Sequence, residues 1–279
     1  MPSLLTTRFA PSPTGLLHLG HAYAALTAWT RAQDAGGRFL LRIEDIDPAR
    51  CRPEYTAALL EDLAALGLVW DGARRQSEHG ADYQAALNQL RGLGLLYPCF
   101  CTRAAIALTA PHGAEPASYP GTCRARSAPE RQERMAAGQA HAWRLDLAAA
   151  MRRISGLTFH EEGQGWMRAT PDVFGDVVLA RKDAPFSYHL CATHDDALQG
   201  VTLVTRGEDL LPATSVHRLL QALLDWPTPR YAHHRLVRDE SGRRLAKRDR
   251  AMSLRVLRQQ GLSTAGLHAL LERRGLPLR

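Results

Sequence analysis

The sequence predicts an α/β protein built on a parallel sheet, and three observations carry that prediction. The first 45 residues read as strand, turn, helix, strand; strand-like runs and an apolar helix return after residue 175; between them lies a Cys-, Pro- and Gly-rich stretch of different texture. LLTTRF (4–9) is a short β-type run that stops at APSPTG (10–15). Residues 18–37, HLGHAYAALTAWTRAQDAGG, form a helix ended by Gly36 and Gly37. RFLLRIED (38–45) is then a buried strand, and a strand–helix–strand unit of this size implies parallel pairing with a right-handed crossover. Leu59, Leu60, Leu63 and Leu66 recur at helical spacing, as do Tyr83, Leu87, Leu90 and Leu93, so both helices pack on the core. From Pro98 to Pro129 the pattern fits an inserted module with its own staple. With DVVLAR (176–181), GVTLVTRGEDLL (200–211) and the helix of Leu219, Leu220, Leu223 and Leu224 the second half of the sheet resumes. A tail after Ser253 sets Leu267, Leu270 and Leu271 on one helical face. The class is therefore α/β: a Rossmann-like parallel-sheet catalytic domain (1–97 and 186–240), an inserted subdomain (98–185) and a basic loop with a short helical C-terminal segment (241–279).

Composition agrees. The 279 residues are 45% hydrophobic and 23% charged, which excludes a disordered or fibrous chain, and the length corresponds to about two domains. Lys and Arg number 35 against 28 Asp and Glu, but residues 243–279 alone hold ten basic and two acidic side chains, so the basicity is local. A basic end on a near-neutral body suits a polyanion docking there. Five cysteines and no export leader at the start point to reduced thiols and a cytoplasmic protein. The longest stretch without charged side chains, from Phe9 to Thr30, is too broken by Pro and Gly to span a membrane.

Two segments carry phosphate chemistry. His18-Leu19-Gly20-His21 stands where a strand hands over to a helix at the top of a parallel sheet, with both imidazoles on one helical face near an N-terminus that attracts phosphate, and Gly20 leaves room for a base or ribose. Gly242-Arg243-Arg244-Leu245-Ala246-Lys247-Arg248 is a basic loop beyond the last strand, and its Lys247 can place a point charge on a transferring phosphate. Alone, each is weak evidence; together they bracket a nucleotide.

At these positions the chain resembles the class I aminoacyl-tRNA synthetases, HLGH (18–21) standing for their HIGH signature and RLAKR (244–248) for KMSKS. RFAPSPTGLLHLGH (8–21), LRIEDID (41–47), SYHLCATHDD (187–196) and VTRGEDLL (204–211) are similar to the glutamyl branch. That resemblance implies activation of L-glutamate by ATP carried with Mg²⁺. His18, His21 and Lys247 would act in catalysis, and with Gly20 would bind ATP; Arg8, Ala10, Ser12, Glu44, Tyr188 and Arg206 would hold glutamate. Arg8 and Arg206 can meet the side-chain carboxylate as planar forks, Glu44 can take the ammonium group, and Tyr188 can supply a hydroxyl. Arg244 and Ala246 depart from KMSKS, leaving Lys247 as the residue that carries over.

Cys99-Phe100-Cys101 and Tyr119-Pro120-Gly121-Thr122-Cys123 gather three cysteines within 25 residues, which in a reduced compartment points to one structural Zn²⁺. General chemistry offers His112 as the fourth ligand; the resemblance points to Tyr119, because CxC followed by YxxxC is similar to the small branch of the family that attaches glutamate to queuosine in the anticodon of tRNA(Asp). Only 31 residues follow Arg248, too few for the helical anticodon-binding part of the longer glutamyl enzymes, and IEDIDPAR (43–50) also resembles the small branch. The resemblance thus implies tRNA-independent glutamyl-adenylate formation by a monomer, with queuosine of tRNA(Asp) as acceptor and the basic tail on tRNA phosphates. The rival readings are an enzyme charging the 3′ end of tRNA(Glu) and a non-catalytic RNA-binding relative. Cys51 and Cys191 read as incidental or core thiols.

Overall fold

The computed structural model describes residues 4–102, 104–106, 119–237, 253–273 and 276. Strand β1 (Thr6–Phe9), helix α1 (Leu19–Asp34) and strand β2 (Arg38–Ile43) form the expected unit, with β1 and β2 parallel from Thr6 opposite Arg38 to Phe9 opposite Leu41. Ala22, Ala25, Ala28 and Ala32 on the buried face of α1 let the helix lie close to the sheet, and the Thr7 hydroxyl donates to the Ala28 carbonyl at 2.7 Å. The return into β2 requires glycine: Gly36 has φ +58°, and a Cβ at Gly37 would stand 2.2 Å from the Leu5 carbonyl oxygen.

Helix α2 (Pro53–Ala65) leads to β3 (Gly72–Arg75), parallel to β2, and then to α3 (Gly80–Gly92). Strand β3 is not among the elements expected from the sequence, because GARR, half exposed, has no apolar alternation. Next come β4 (Leu96–Cys99), α4 (Ala128–Ala136), β5 (Ala142–Leu145) and α5 (Leu147–Arg153). A hairpin of β6 (Thr158–Glu161) and β7 (Gly165–Arg168) follows, then β8 (Val178–Ala180).

The run at 176–181 does not resume the parallel sheet. Its strand β8 pairs antiparallel with β5, which pairs antiparallel with β4, so it closes a separate three-stranded sheet. A short apolar run reads the same in either kind of sheet, and only its partner decides.

Helix α6 (Tyr188–Leu198), β9 (Leu203–Gly207), α7 (Thr214–Leu223) and β10 (Arg230–His234) complete the core. β9, β10 and β6 run parallel. The two sheets meet where β1 lies beside β9: the Thr202 N–H donates to the Thr6 carbonyl at 3.0 Å, and the Thr6 N–H to the Thr202 hydroxyl at 2.8 Å. β2 and β3 extend from one side of this junction and β10 and β6 from the other, so the crevice at the carboxyl ends of β1 and β9 is the place where such sheets bind ligands. The Rossmann-like class read from the sequence is the architecture found.

Helices α8 (Leu254–Gln259) and α9 (Thr264–Arg273) form the C-terminal segment; Leu254, Leu267, Leu271 and Leu276 join the apolar cluster of α1 and β2. Arg258 reaches Asp62 at 2.6 Å and Arg255 reaches Glu61 at 3.0 Å, so two of the tail's cations are spent on α2. No helix among the described residues is long and apolar enough to cross a membrane.

Candidate active site

A cavity of about 420 Å³ opens at the crevice between β1 and β9. Every residue named from the sequence for glutamate or ATP that falls among the described residues lines it: Arg8, Ala10 and Ser12 at the end of β1, His18, Gly20 and His21 at the start of α1, Glu44 after β2, Tyr188 at the start of α6, and Arg206 on β9. Lys247, with Arg244 and Ala246, lies outside the described residues. Of the residues flanking that stretch, Val237 lines the cavity and Ser253 bridges to His18.

The histidine pair is built by helix capping. His18 is the N-cap of α1 with extended backbone; its Nδ1 accepts from the Gly20 N–H at 3.0 Å, and Nδ1 of His21 accepts from the His18 N–H at 3.1 Å. Both Nδ1 atoms being acceptors, the proton of each neutral ring sits on Nε2. The rings lie 3.8 Å apart between centroids. Gly20 serves this pair too: a Cβ there would stand 3.0 Å from His18 Cε1, so the space the sequence analysis assigned to a base or ribose is bordered by the His18 ring.

The two arginines expected to meet a carboxylate are differently committed. Arg8 is 5% exposed and its fork faces Asp196, with Nε at 2.9 Å and Nη2 at 3.4 Å, while Nη1 donates to the Thr205 carbonyl. Arg42, fully buried, donates to Asp196 at 2.8 Å and to Glu44 at 3.3 Å. Burial works against the Asp196 charge, but Arg8 and Arg42 hold its carboxyl below the usual carboxylate range. Burial pushes the Glu44 carboxyl up, with Arg42 and Arg8 pulling the other way. Arg206, 6% exposed, has neutral partners throughout: Tyr188 Oη, His217 Nδ1, Thr214 Oγ1 and His233 Nε2. No carboxylate among the described residues lies within ion-pair distance of it, so the cavity that Glu44 also lines carries a buried guanidinium without a direct ion-pair partner. That arrangement can take an amino acid with an acidic side chain, the ammonium group on Glu44 and the carboxylate toward Arg206.

The second cluster lies in the insert. The Sγ atoms of Cys99, Cys101 and Cys123 fall within 4.8 Å of one another, with Cys101 and Cys123 3.6 Å apart, and the Tyr119 hydroxyl is 3.7 Å from Cys101 Sγ. The site is buried, Cys99 and Cys123 being 1% exposed and Tyr119 8%. Burial opposes ionisation of Cys123, but hydrogen bonds from Tyr119 and from the Phe100 N–H bring its thiol down to about 7. Three converging sulfurs, one readily a thiolate, suit tetrahedral zinc. His112 lies outside the described residues. Zinc is expected at one ion per chain by elemental analysis and absent from a Cys101→Ser variant; a folded protein without metal would remove the site.

Comparison with known proteins decides the family. Residues 4–279 match the family described as tRNA synthetases class I (E and Q), catalytic domain. The chain belongs to the class I glutamyl and glutaminyl tRNA synthetases. Among curated relatives, the Glutamyl-Q tRNA(Asp) synthetase of Rhodobacter capsulatus is 48% identical over 96% of this chain and 99% of its own length. The Glutamate--tRNA ligase 2 of Alkalilimnicola ehrlichii is 38% identical, and the match covers 93% of this chain but 56% of that protein. A solved glutamate-tRNA synthetase from Elizabethkingia anophelis superposes with a TM-score of 0.76 at 28% identity, over 88% of this chain and 53% of that one.

In this synthetase the groups that hold the named residues in place carry little signal in the sequence. Asp195 and Asp196 stood inside a quoted motif without a role, yet Asp196 joins Arg8 to Arg42, and Asp195 takes Arg74, Gln76 and Tyr83. His217 and His233 carry no motif; His217 sits among Val216, Leu219 and Leu220 on the buried face of α7, where a polar residue is itself a signal. Cys191 is buried in the main core and Cys51 half-buried near Glu44, neither near the metal cluster.

Proposed function

We propose that this synthetase activates L-glutamate with ATP, without needing tRNA for that step, and transfers the glutamyl group to queuosine in the anticodon of tRNA(Asp). The observation that carries the amino acid is the cavity that joins Glu44 and an Arg206 without a direct carboxylate partner to the capped His18–His21 pair. The acceptor rests on the names of relatives 40–48% identical over 93–98% of this chain, all Glutamyl-Q tRNA(Asp) synthetases.

The α-carboxylate of glutamate attacks the α-phosphorus of ATP, a P–O bond forms, the bond to the bridging oxygen breaks, and pyrophosphate leaves with the electron pair. His18 and His21 stand at the positive end of α1, where their rings would meet charge that grows on the phosphate oxygens. Lys247, which lies in sequence between Val237 and Ser253, would add a point charge, and Mg²⁺ enters with ATP as part of the substrate. In the second step a hydroxyl of the queuosine ring attacks the mixed-anhydride carbonyl, AMP leaves, and the hydroxyl proton passes to solvent. Cys99, Cys101, Tyr119 and Cys123 would hold zinc, which would act there as a structural staple.

Glutamate-dependent ATP–pyrophosphate exchange, run with and without tRNA, tests the first step. Exchange without tRNA is expected, reduced at least about a hundredfold in Lys247→Ala, as for loss of a charge aimed at the transition state. No exchange with glutamate under either condition would sink the reading. Labelled glutamate found on the terminal adenosine instead of base 34 would establish the tRNA(Glu)-type acceptor.

A further inference from the structure

Every other buried guanidinium near the cavity has a carboxylate. Arg8 and Arg42 both meet Asp196, Arg42 also meets Glu44, and the partly buried Arg74 meets Asp195 at 3.0 Å. Arg206 instead stands in a sleeve of neutral rings. Its Nε–H donates to His233 Nε2 at 3.0 Å, one Nη1–H to His217 Nδ1 at 3.2 Å and another to the Tyr188 hydroxyl at 3.2 Å. Nη2 donates to the Thr214 hydroxyl at 2.7 Å, and the Tyr231 ring lies 5.6 Å from the guanidinium carbon. A guanidinium has only donors, so each histidine must present a bare nitrogen to it and carry its proton on the other side. The partners on those other sides complete both chains: His217 Nε2 meets His189 Nδ1 at 3.2 Å, and His233 Nδ1 meets Glu161 at 2.7 Å. Burial, then the Arg206 charge, brings His189 and His233 down to about 4 and His217 well below its ordinary value.

We propose that His217 and His233 are positioning residues for recognition of the acidic side chain: they fix the Arg206 guanidinium with unprotonated nitrogens where acids would neutralise it, and so reserve its charge for the substrate carboxylate. This rests on the glutamate reading of the cavity. Four of the five N–H groups of Arg206 are used in being held and one on Nη2 is left, so charge, more than a vacant fork, is what the site offers. A carboxylate at position 217 would fill the same space with the wrong charge. Glutamate would lose its attraction, while neutral glutamine would lose little, and the preference between them would shrink.

The test is exchange kinetics of the full-length protein with glutamate and with glutamine, with ATP titrated separately. His217→Asp is expected to raise the glutamate KM by roughly tenfold to a hundredfold, the range for a lost charge-assisted contact, and to cut the glutamate-to-glutamine ratio as much, with the ATP KM unchanged. His217→Asn, which keeps an acceptor close to the Nδ1 position, is expected to stay within about threefold of wild type, as is His233→Gln, which keeps one near Nε2. His217→Leu is expected to raise the glutamate KM, and this Leu–Asn pair decides the matter if the Asp variant does not fold. A wild-type glutamate KM in His217→Leu, or losses shared by the Asn variant and by ATP, overturns the inference while the glutamate reading stands. A wild-type enzyme that exchanges nothing with glutamate overturns both.

Discussion

Replacing Arg206 by alanine is expected to lower kcat/KM for glutamate in the exchange reaction by about 10²–10³-fold, the equivalent of a lost charge-assisted interaction in a buried site, while ATP binding measured without amino acid persists. The asymmetry follows from the proposed reading, in which Arg206 and Glu44 would hold the amino acid, whereas His18, Gly20 and His21 line the cavity at the α1 cap. Arg206→Lys is expected to recover little, because an ammonium cannot reach His217, His233, Tyr188 and Thr214 at once as the planar guanidinium does. An Arg206→Ala enzyme with wild-type glutamate kinetics would take this residue out of the site.

The largest stability effect is expected at Asp196. Its carboxylate joins Arg8 to Arg42 in the interior, and Asp196→Ala leaves two guanidiniums without it, a loss of about 3–5 kcal/mol of folding free energy. For a chain of this size that corresponds to a fall in Tm of roughly 5–9 °C, readable by calorimetry. The pH dependence follows from the lowered carboxyl of Asp196. A folded-state value below the unfolded one contributes stability that is complete above the ordinary carboxylate range and is lost as the pH falls through the folded value. Asp196→Asn is therefore expected to be less stable than wild type at neutral pH and to lose less on acidification. Equal Tm values at pH 7 would mean the network contributes nothing net. Arg8, released from Asp196, would also move relative to Glu44, so glutamate activation should weaken in the same variant.

Much of the site was legible because it sits in short local segments whose chemistry is visible in the residue types. HLGH at a strand–helix junction already implied a helix N-terminus suited to phosphate, and Arg8, Glu44, Tyr188 and Arg206 stood in blocks that resemblance could place. What holds them was not legible. Asp196 meets Arg8 across 188 positions and Arg42 across 154, and His217 meets Arg206 from a helix whose pattern reads as plain core. The same limit explains 176–181: its apolar run specified a strand, but the partner that makes it antiparallel is β5, more than thirty residues earlier.

By itself the sequence determined the α/β class, the first βαβ unit, the thiol cluster of the insert and the identity of the groups around the cavity, since these follow from hydrophobic periodicity, turn residues and side-chain chemistry within a few positions of one another. Only the tertiary structure decided how charge is distributed there: Arg8 is matched by Asp196 and Arg206 is left to neutral rings, because in a low-dielectric interior the free charge of a group is set by whatever distant residues the fold packs against it.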